Sequence, residues 1–173
     1  QTVVFDTAFH QTMPKEAFLY ALPMEQYTKH KIRRYGFHGT SHAYVSQKAA
    51  ELIGKRGKII TCHLGNGASI SAVDNGICLD TSMGFTPLAG LVMGTRCGDI
   101  DPYIPLYICK TQNKTPDEVN EILNKKSGMF GLCGYSDNRD IETLYGVEEC
   151  ATDALNAYIH SIIRFIGAYI AVL

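Results

Sequence analysis

The sequence predicts an α/β fold with a mixed sheet and flanking helices, and three observations carry that reading. A short apolar run over residues 59–63 suits a buried strand. Ile70 and Ala72 alternate with Ser69 and Ser71, and Asn75 with Gly76 forms a strong hairpin signal before a return strand over 77–81. Helical spacing then dominates the second half of the chain.

Residues 1–34, at the start of the chain, are mixed. Val3, Val4 and Phe5 suit a strand end, and Pro14 and Pro23 interrupt the segment after it. Thr40 or Ser41 can cap a helix reaching Ile53, with Gly54 as its stop. Residues 82–102 carry four glycines and two prolines, which reads as shaped loop. Thr115, Pro116, Asp117 and Glu118 form a capping box with proline at the first helical position. Residues 127–134 read as a further glycine-bearing loop. Ala151, Ala154, Leu155, Tyr158, Ile159, Ile162 and Ile166 keep helical spacing in a last helix starting near Val147.

Sixteen basic and 17 acidic residues give a net charge of -1. That balance supplies no basic footprint for nucleic acid, so any anionic ligand must be held by local groups. The apolar stretch over 157–173 carries His160 and Arg164 and is short for a bilayer span. Six scattered cysteines without a CxxC pattern suit reduced thiols of a cytoplasmic protein better than a disulfide framework. Both ends enter apolar runs without stop signals, which reads as a fragment.

Three clusters bear chemistry. The run HLGNG at 63–67 lies between two predicted strands. Gly65 and Gly67 permit a tight turn whose backbone N–H groups can cradle an anion, with Asn66 and His63 as added donors. The same pattern suits an ordinary glycine hairpin, and there is no Walker lysine. The run HGTSH at 38–42 sets His38 just before a helix, where an anion is favoured. His38 and His42 with a cysteine could alternatively bind zinc, although their positions do not share a helical face. Arg96, in a glycine-flanked loop, offers a guanidinium fork for phosphate or carboxylate. Asp6 is a lone carboxylate among aromatics, and Asp137, Asn138 and Arg139 suit a turn that caps a short helix.

Six segments in order carry a resemblance: VFDTAFHQTMP at 4–14, RYGFHGTSH at 34–42, TCHLGNG at 61–67, TSMGFTP at 81–87, MGTRCG at 93–98 and NKKSG at 124–128. Together they resemble the acetate kinases over essentially the whole chain. The resemblance implies the ribonuclease-H-like domain of the acetate and sugar kinase, heat-shock chaperone and actin superfamily, here incomplete. Residues 1–173 would form most of a C-terminal domain, with the end of an N-terminal domain or an interdomain segment near 1–10.

The resemblance implies reversible phosphoryl transfer from ATP, with Mg²⁺, to acetate. It aligns Asp6 with a catalytic aspartate, and His38 and Arg96 with residues that stabilise the transition state. It aligns His63, Leu64, Gly65, Asn66 and Gly67 with a phosphate loop, and Asp137, Asn138 and Arg139 with a nucleotide-contacting segment. Phe37 and Pro87 match the wall around the acetate methyl group. Asn138 departs from the aromatic residue common there.

Because a carboxylic acid of this type, with a pKa of about 4 to 5, is ionised at neutral pH, Asp6 is not needed as a base. It is expected to orient Arg96 or a metal-bound water. The resemblance also implies a homodimer and sets further nucleotide and acetate groups outside the fragment, so the fragment alone is expected to be inactive. Propionate kinase and a non-catalytic dimerisation or nucleotide-binding module are the competing readings.

Overall fold

The computed structural model describes residues 3–173. Residues 3–5 are exposed and irregular rather than a strand end. A 3-10 turn, Phe9–Thr12, leads into two short helices, α1 (Lys15–Phe18) and α2 (Met24–Thr28). Helix α3 comes next, at Gly39–Ile53. It starts at His38 and Gly39, just before the Thr40 or Ser41 cap that the sequence suggested, and no side chain caps it. Gly54, at φ 74°, ends it in the left-handed conformation open to glycine.

Strands β1 (Lys58–Leu64), β2 (Ala68–Asp74) and β3 (Ile77–Thr81) pair in that order. The sheet is antiparallel throughout the described residues, not mixed. The reason is connection length: two tight turns join three consecutive strands, whereas a parallel neighbour needs a long crossover. A register shift at Ala72 and Val73 bends β2 near the hairpin.

Residues 82–102 form no helix or strand, as expected. Helix α4 (Tyr103–Gln112) was not anticipated, and it contains Pro105. Pro105 falls in the first turn, where its missing N–H is not needed. Helix α5 (Pro116–Lys125) carries the full capping box, with Thr115 and Glu118 reciprocally bonded. Residues 128–133 form helix α6 (Gly128–Cys133), correcting the loop reading. Helices α7 (Asn138–Leu144) and α8 (Glu149–Val172) complete the chain.

The two faces of the sheet are covered differently. Ala68, Ile70 and Ala72 of β2 face a core with Met83, Leu91, Met93, Met129, Ile141 and the α8 residues Ala151, Ala154 and Tyr158. The other face carries Thr61, Ser69, Ser71 and Thr81. Helix α3 and the 3-10 turn bury it, adding His42 and His10. At 24 residues, α8 is longer than the apolar stretch suggested, and is long and apolar enough to cross a membrane. Here one side of it, from Ala151 to Tyr169, closes the core.

Candidate active site

The loop between β1 and β2 is the centre of the site. Its turn is closed by the Gly65 N–H donating to the Gly67 carbonyl at 3.1 Å. Gly67 is where the predicted groups converge. A methyl group there would stand 3.2 Å from Arg96 Nη1 and 3.4 Å from His38 Nε2. Only glycine leaves that corner open between two cationic or hydrogen-bonding groups.

His38 is held in an uncommon conformation. Its φ of 57° and ψ of 26° are left-handed, which costs a non-glycine residue about 1–3 kcal/mol and marks functional positions. Three contacts hold it. The Asp6 carboxylate accepts from the His38 N–H at 2.7 Å, and the Asp6 carbonyl accepts from the Gly39 N–H at 2.8 Å. His10 Nε2 donates to the Phe37 carbonyl at 2.8 Å. His38 Nδ1 lies 2.8 Å from Ser69 Oγ. Of the two roles expected of Asp6, the first is not seen: its carboxylate accepts from the backbone that sets His38 rather than pairing with Arg96.

His63 stacks on His38 with ring centroids 4.0 Å apart, and its Nδ1 is 2.9 Å from Ser41 Oγ. Burial pushes the His38 pKa below the ordinary 6.5, and the neighbouring His63 and Arg96 push it the same way, while Asp6 pulls it up. Neutral His38 is therefore favoured while the corner holds no anion.

Arg96 is set by its loop. Nη1 donates to the Pro87 carbonyl at 3.1 Å. The N-terminus of α6 grips the loop from behind: Ser127, Met129 and Phe130 donate to the carbonyls of Thr95, Met93 and Gly94 at 2.9–3.0 Å. Gly128, at φ 62°, lets the Met93 and Arg96 backbone press against it. Gly94 donates to the Asn66 carbonyl at 3.2 Å, and a side chain at 94 would overlap the Asn66 amide. Phosphate-loop and arginine-loop candidates are thus one unit.

On the opposite side of the loop lies a cleft of about 350 Å³, lined by Leu64, Gly65, Asn66, Gly94, Asp137, Asn138 and Tyr158 among others. Asp137 caps α7 by accepting from the Arg139 N–H at 2.9 Å. Arg139 folds back on Asp137 at 2.6 Å and is not part of the cleft wall. That guanidinium holds the Asp137 pKa down at about 2. The buried Tyr158 hydroxyl, beside the Asn138 side chain, was not foreseen as part of the cleft. Phe37 packs on the edge of the apolar core, and Pro87 contributes its carbonyl to Arg96.

His42, read as a possible zinc ligand, has both ring nitrogens on hydroxyls, Thr61 Oγ1 and Ser69 Oγ, each at 2.7 Å. Among the described residues no group of three histidine, cysteine or acidic side chains is arranged to hold a metal. Thr61, Ser69 and His10 were missed as supports of the site. The only signal for Thr61 and Ser69 was the presence of small polar residues in an otherwise apolar strand pair, and His10, in the 3-10 turn, gave none.

A loop of backbone amides, an arginine and a histidine meet at one glycine beside an open cleft, an arrangement suited to holding an anion. The family model of the acetokinase family matches residues 1–173. The acetate kinase of Dictyoglomus turgidum is 59% identical over 178 residues, covering 100% of this chain and 44% of the relative. That of Thermotoga maritima is 61% identical over 175 residues, covering 97% and 43%. A propionate kinase structure from Francisella tularensis superposes with a TM-score of 0.96 at 47% identity, over 98% of this chain and 45% of that one. Porphyromonas gingivalis acetate kinase gives 0.94 at 48% identity, over 98% and 44%. The chain belongs to the acetokinase family, and it spans less than half the length of these relatives.

Proposed function

We propose that this chain supplies the phosphoryl-transfer corner of an enzyme that converts acetate and ATP into acetyl phosphate and ADP, reversibly. The observation that carries the reading is the meeting of Arg96, His38 and the 63–67 loop around Gly67. In-line phosphoryl transfer needs positioning and charge stabilisation more than covalent chemistry. Arg96 and His38 sit where two donors can reach equatorial oxygens of the transferring group. The amides of the Gly65 to Gly67 turn can hold a neighbouring phosphate, and the cleft by Asn66, Asp137 and Asn138 takes the nucleotide side.

Mg²⁺ fits this reading in a limited way. Magnesium prefers oxygen ligands and keeps several waters. The exposed Asp6 carboxylate has one oxygen engaged by the His38 N–H and a second free for the ion or its water. When bound, the ion would neutralise phosphate charge.

The enzyme is read as a cytoplasmic homodimer. Six free thiols suit a reducing compartment. The exposed Ile159, Ile163 and Ile170 of α8 suit burial against further protein, whether a second copy or the rest of the chain.

The test is acetyl phosphate formation by the full-length protein carrying this chain, captured as the hydroxamate. Turnover with acetate is expected, and none from residues 1–173 alone. A full-length protein that binds ATP and does not phosphorylate acetate would sink the reading in favour of a non-catalytic module. The likeness to a propionate kinase structure makes propionate the second substrate to measure. One methylene in an apolar pocket discriminates by about 1–3 kcal/mol, so the comparison of kcat/KM decides between them.

A further inference from the structure

We propose that Ser69 and His42 are positioning residues: a buried hydrogen-bond chain from the Ser71 carbonyl through Thr61, His42 and Ser69 fixes the Nδ1–H tautomer of His38 and turns its Nε2 to the Gly67 corner. The inference deepens the phosphoryl-transfer reading and rests on it only for its catalytic consequence.

The direction of the chain is set by its ends. The Ser71 carbonyl only accepts, and Thr61 Oγ1 lies 3.5 Å from it. That contact is long, and we take Thr61 as its donor, which leaves Thr61 Oγ1 to accept from His42 Nδ1–H across 2.7 Å. His42 is buried and neutral: burial first, then the neighbouring His10, His38 and His63, push its pKa down to about 3. Holding one proton, on Nδ1, it offers a bare Nε2 that accepts the Ser69 hydroxyl proton across 2.7 Å. Ser69 has then spent its only proton and accepts from His38 Nδ1–H across 2.8 Å.

The consequence falls on the other nitrogen of His38. In the neutral ring, Nε2 carries a lone pair, which suits the adjacent Arg96 guanidinium. It becomes a donor to a phosphoryl oxygen only when the ring gains a proton. The charged and titratable groups around the ring are Asp6, His63 and Arg96, with His10 and His42 beneath. A phosphoryl anion added to that set favours the imidazolium, so arrival of the anion and proton uptake at Nε2 are coupled. Two buried hydroxyls and a buried histidine thus decide what the half-buried His38 can do.

The test uses the full-length protein with ¹⁵N-labelled histidine. At neutral pH without ligand, the His38 ring is expected to show a protonated Nδ1 and a bare Nε2. Ser69→Ala removes the junction without adding volume. The ring is then expected to revert to the Nε2–H tautomer that free histidine prefers. The kcat is expected to fall about 10- to 100-fold, with KM for acetate moving less than about threefold, as for a mispositioned group. Thr61→Val acts from three hydrogen bonds away and is expected to shift the tautomer in the same direction. Ser69→Thr restores the hydroxyl and the Nδ1–H form.

An Nε2–H ring in the unsubstituted protein, or a tautomer unmoved by Ser69→Ala, overturns the proposal. If Ser69→Ala does not fold, the unsubstituted protein and Thr61→Val still decide it. Absence of acetate turnover would overturn the functional reading and leave the tautomer result standing.

Discussion

The two faces of the central sheet are equally dry and do opposite work. On one, Ile70, Ala68 and Ala72 meet α8 through dispersion contacts that tolerate small shifts at a modest cost. On the other, Thr61 and Ser69 bond the His42 ring, Ser71 bonds Thr81, and His10 bonds the Cys78 thiol and the Phe37 carbonyl, each with a fixed partner. All of these polar residues are 0–2% exposed. An apolar layer there would be easier to fold. The polar layer instead transmits orientation from the sheet to His38, and the 63–67 loop joins both layers at the sheet's end. Stability rests chiefly on one face and geometry on the other.

The largest expected effect comes from the group at the mouth of the polar side. Arg96→Ala in the full-length protein is expected to lower kcat by about 10³-fold, the scale seen when a charge-stabilising arginine is lost in phosphoryl transfer. Circular dichroism and the unfolding midpoint are expected to change little. The side chain's hydrogen bonds are to the Pro87 carbonyl and the Met93 sulfur, at 3.1 and 3.7 Å. A fall in kcat of less than tenfold would remove Arg96 from the reaction.

The apolar face should break the other way. Ile70 is fully buried, and Ile70→Ala is expected to cost about 3 kcal/mol of stability through lost transfer energy and a residual cavity. Urea unfolding measures it. Turnover per folded molecule should stay within about twofold, because the hydrogen bonds on the opposite face survive. If Ile70→Ala instead abolished turnover in folded protein, the division between the faces would fail.

Much of this was legible in the sequence, for reasons that differ by residue. His38, Arg96 and the 63–67 loop stood out because glycines flank them and because six segments keep one order. The β-hairpin was plain from Asn75 and Gly76. The polar layer was not legible. Ser69 and Ser71 alternating with Ile70 and Ala72 is the pattern of a strand with one side in water. Only the packing of α3 and the 3-10 turn shows that both sides are buried.

Helix α6 was hidden by Gly128, Gly131 and Gly134. Gly128 is there because the Arg96 loop presses on it, a long-range contact that local propensity cannot signal. Asp6 was visible as a singular carboxylate, but its partner, the His38 backbone, depends on a left-handed residue that no periodicity announces.

The smallest effect separates the faces by pH. His42 has a folded pKa of about 3 against an ordinary 6.5, so the unfolded chain binds its proton first as the pH falls. Its contribution to stability is complete above pH 6.5 and is lost progressively as the pH is lowered toward 3, with a limiting slope of about 1.4 kcal/mol per pH unit. His10 and His38 are shifted the same way and add to the slope. Urea midpoints between pH 7 and 5 emphasise the histidines, since ordinary carboxylates titrate below that window; Asp80, pushed up by burial, is common to every variant and cancels in the comparison. His42→Gln is expected to reduce the slope by up to one proton's worth while lowering stability at pH 7. Ile70→Ala is expected to displace the whole curve downward without changing its slope, because an apolar contact binds no proton in either state. Parallel curves for His42→Gln and the unsubstituted protein would mean that His42 is charged in the fold, and the direction assigned to the hydrogen-bond chain would then be wrong as well.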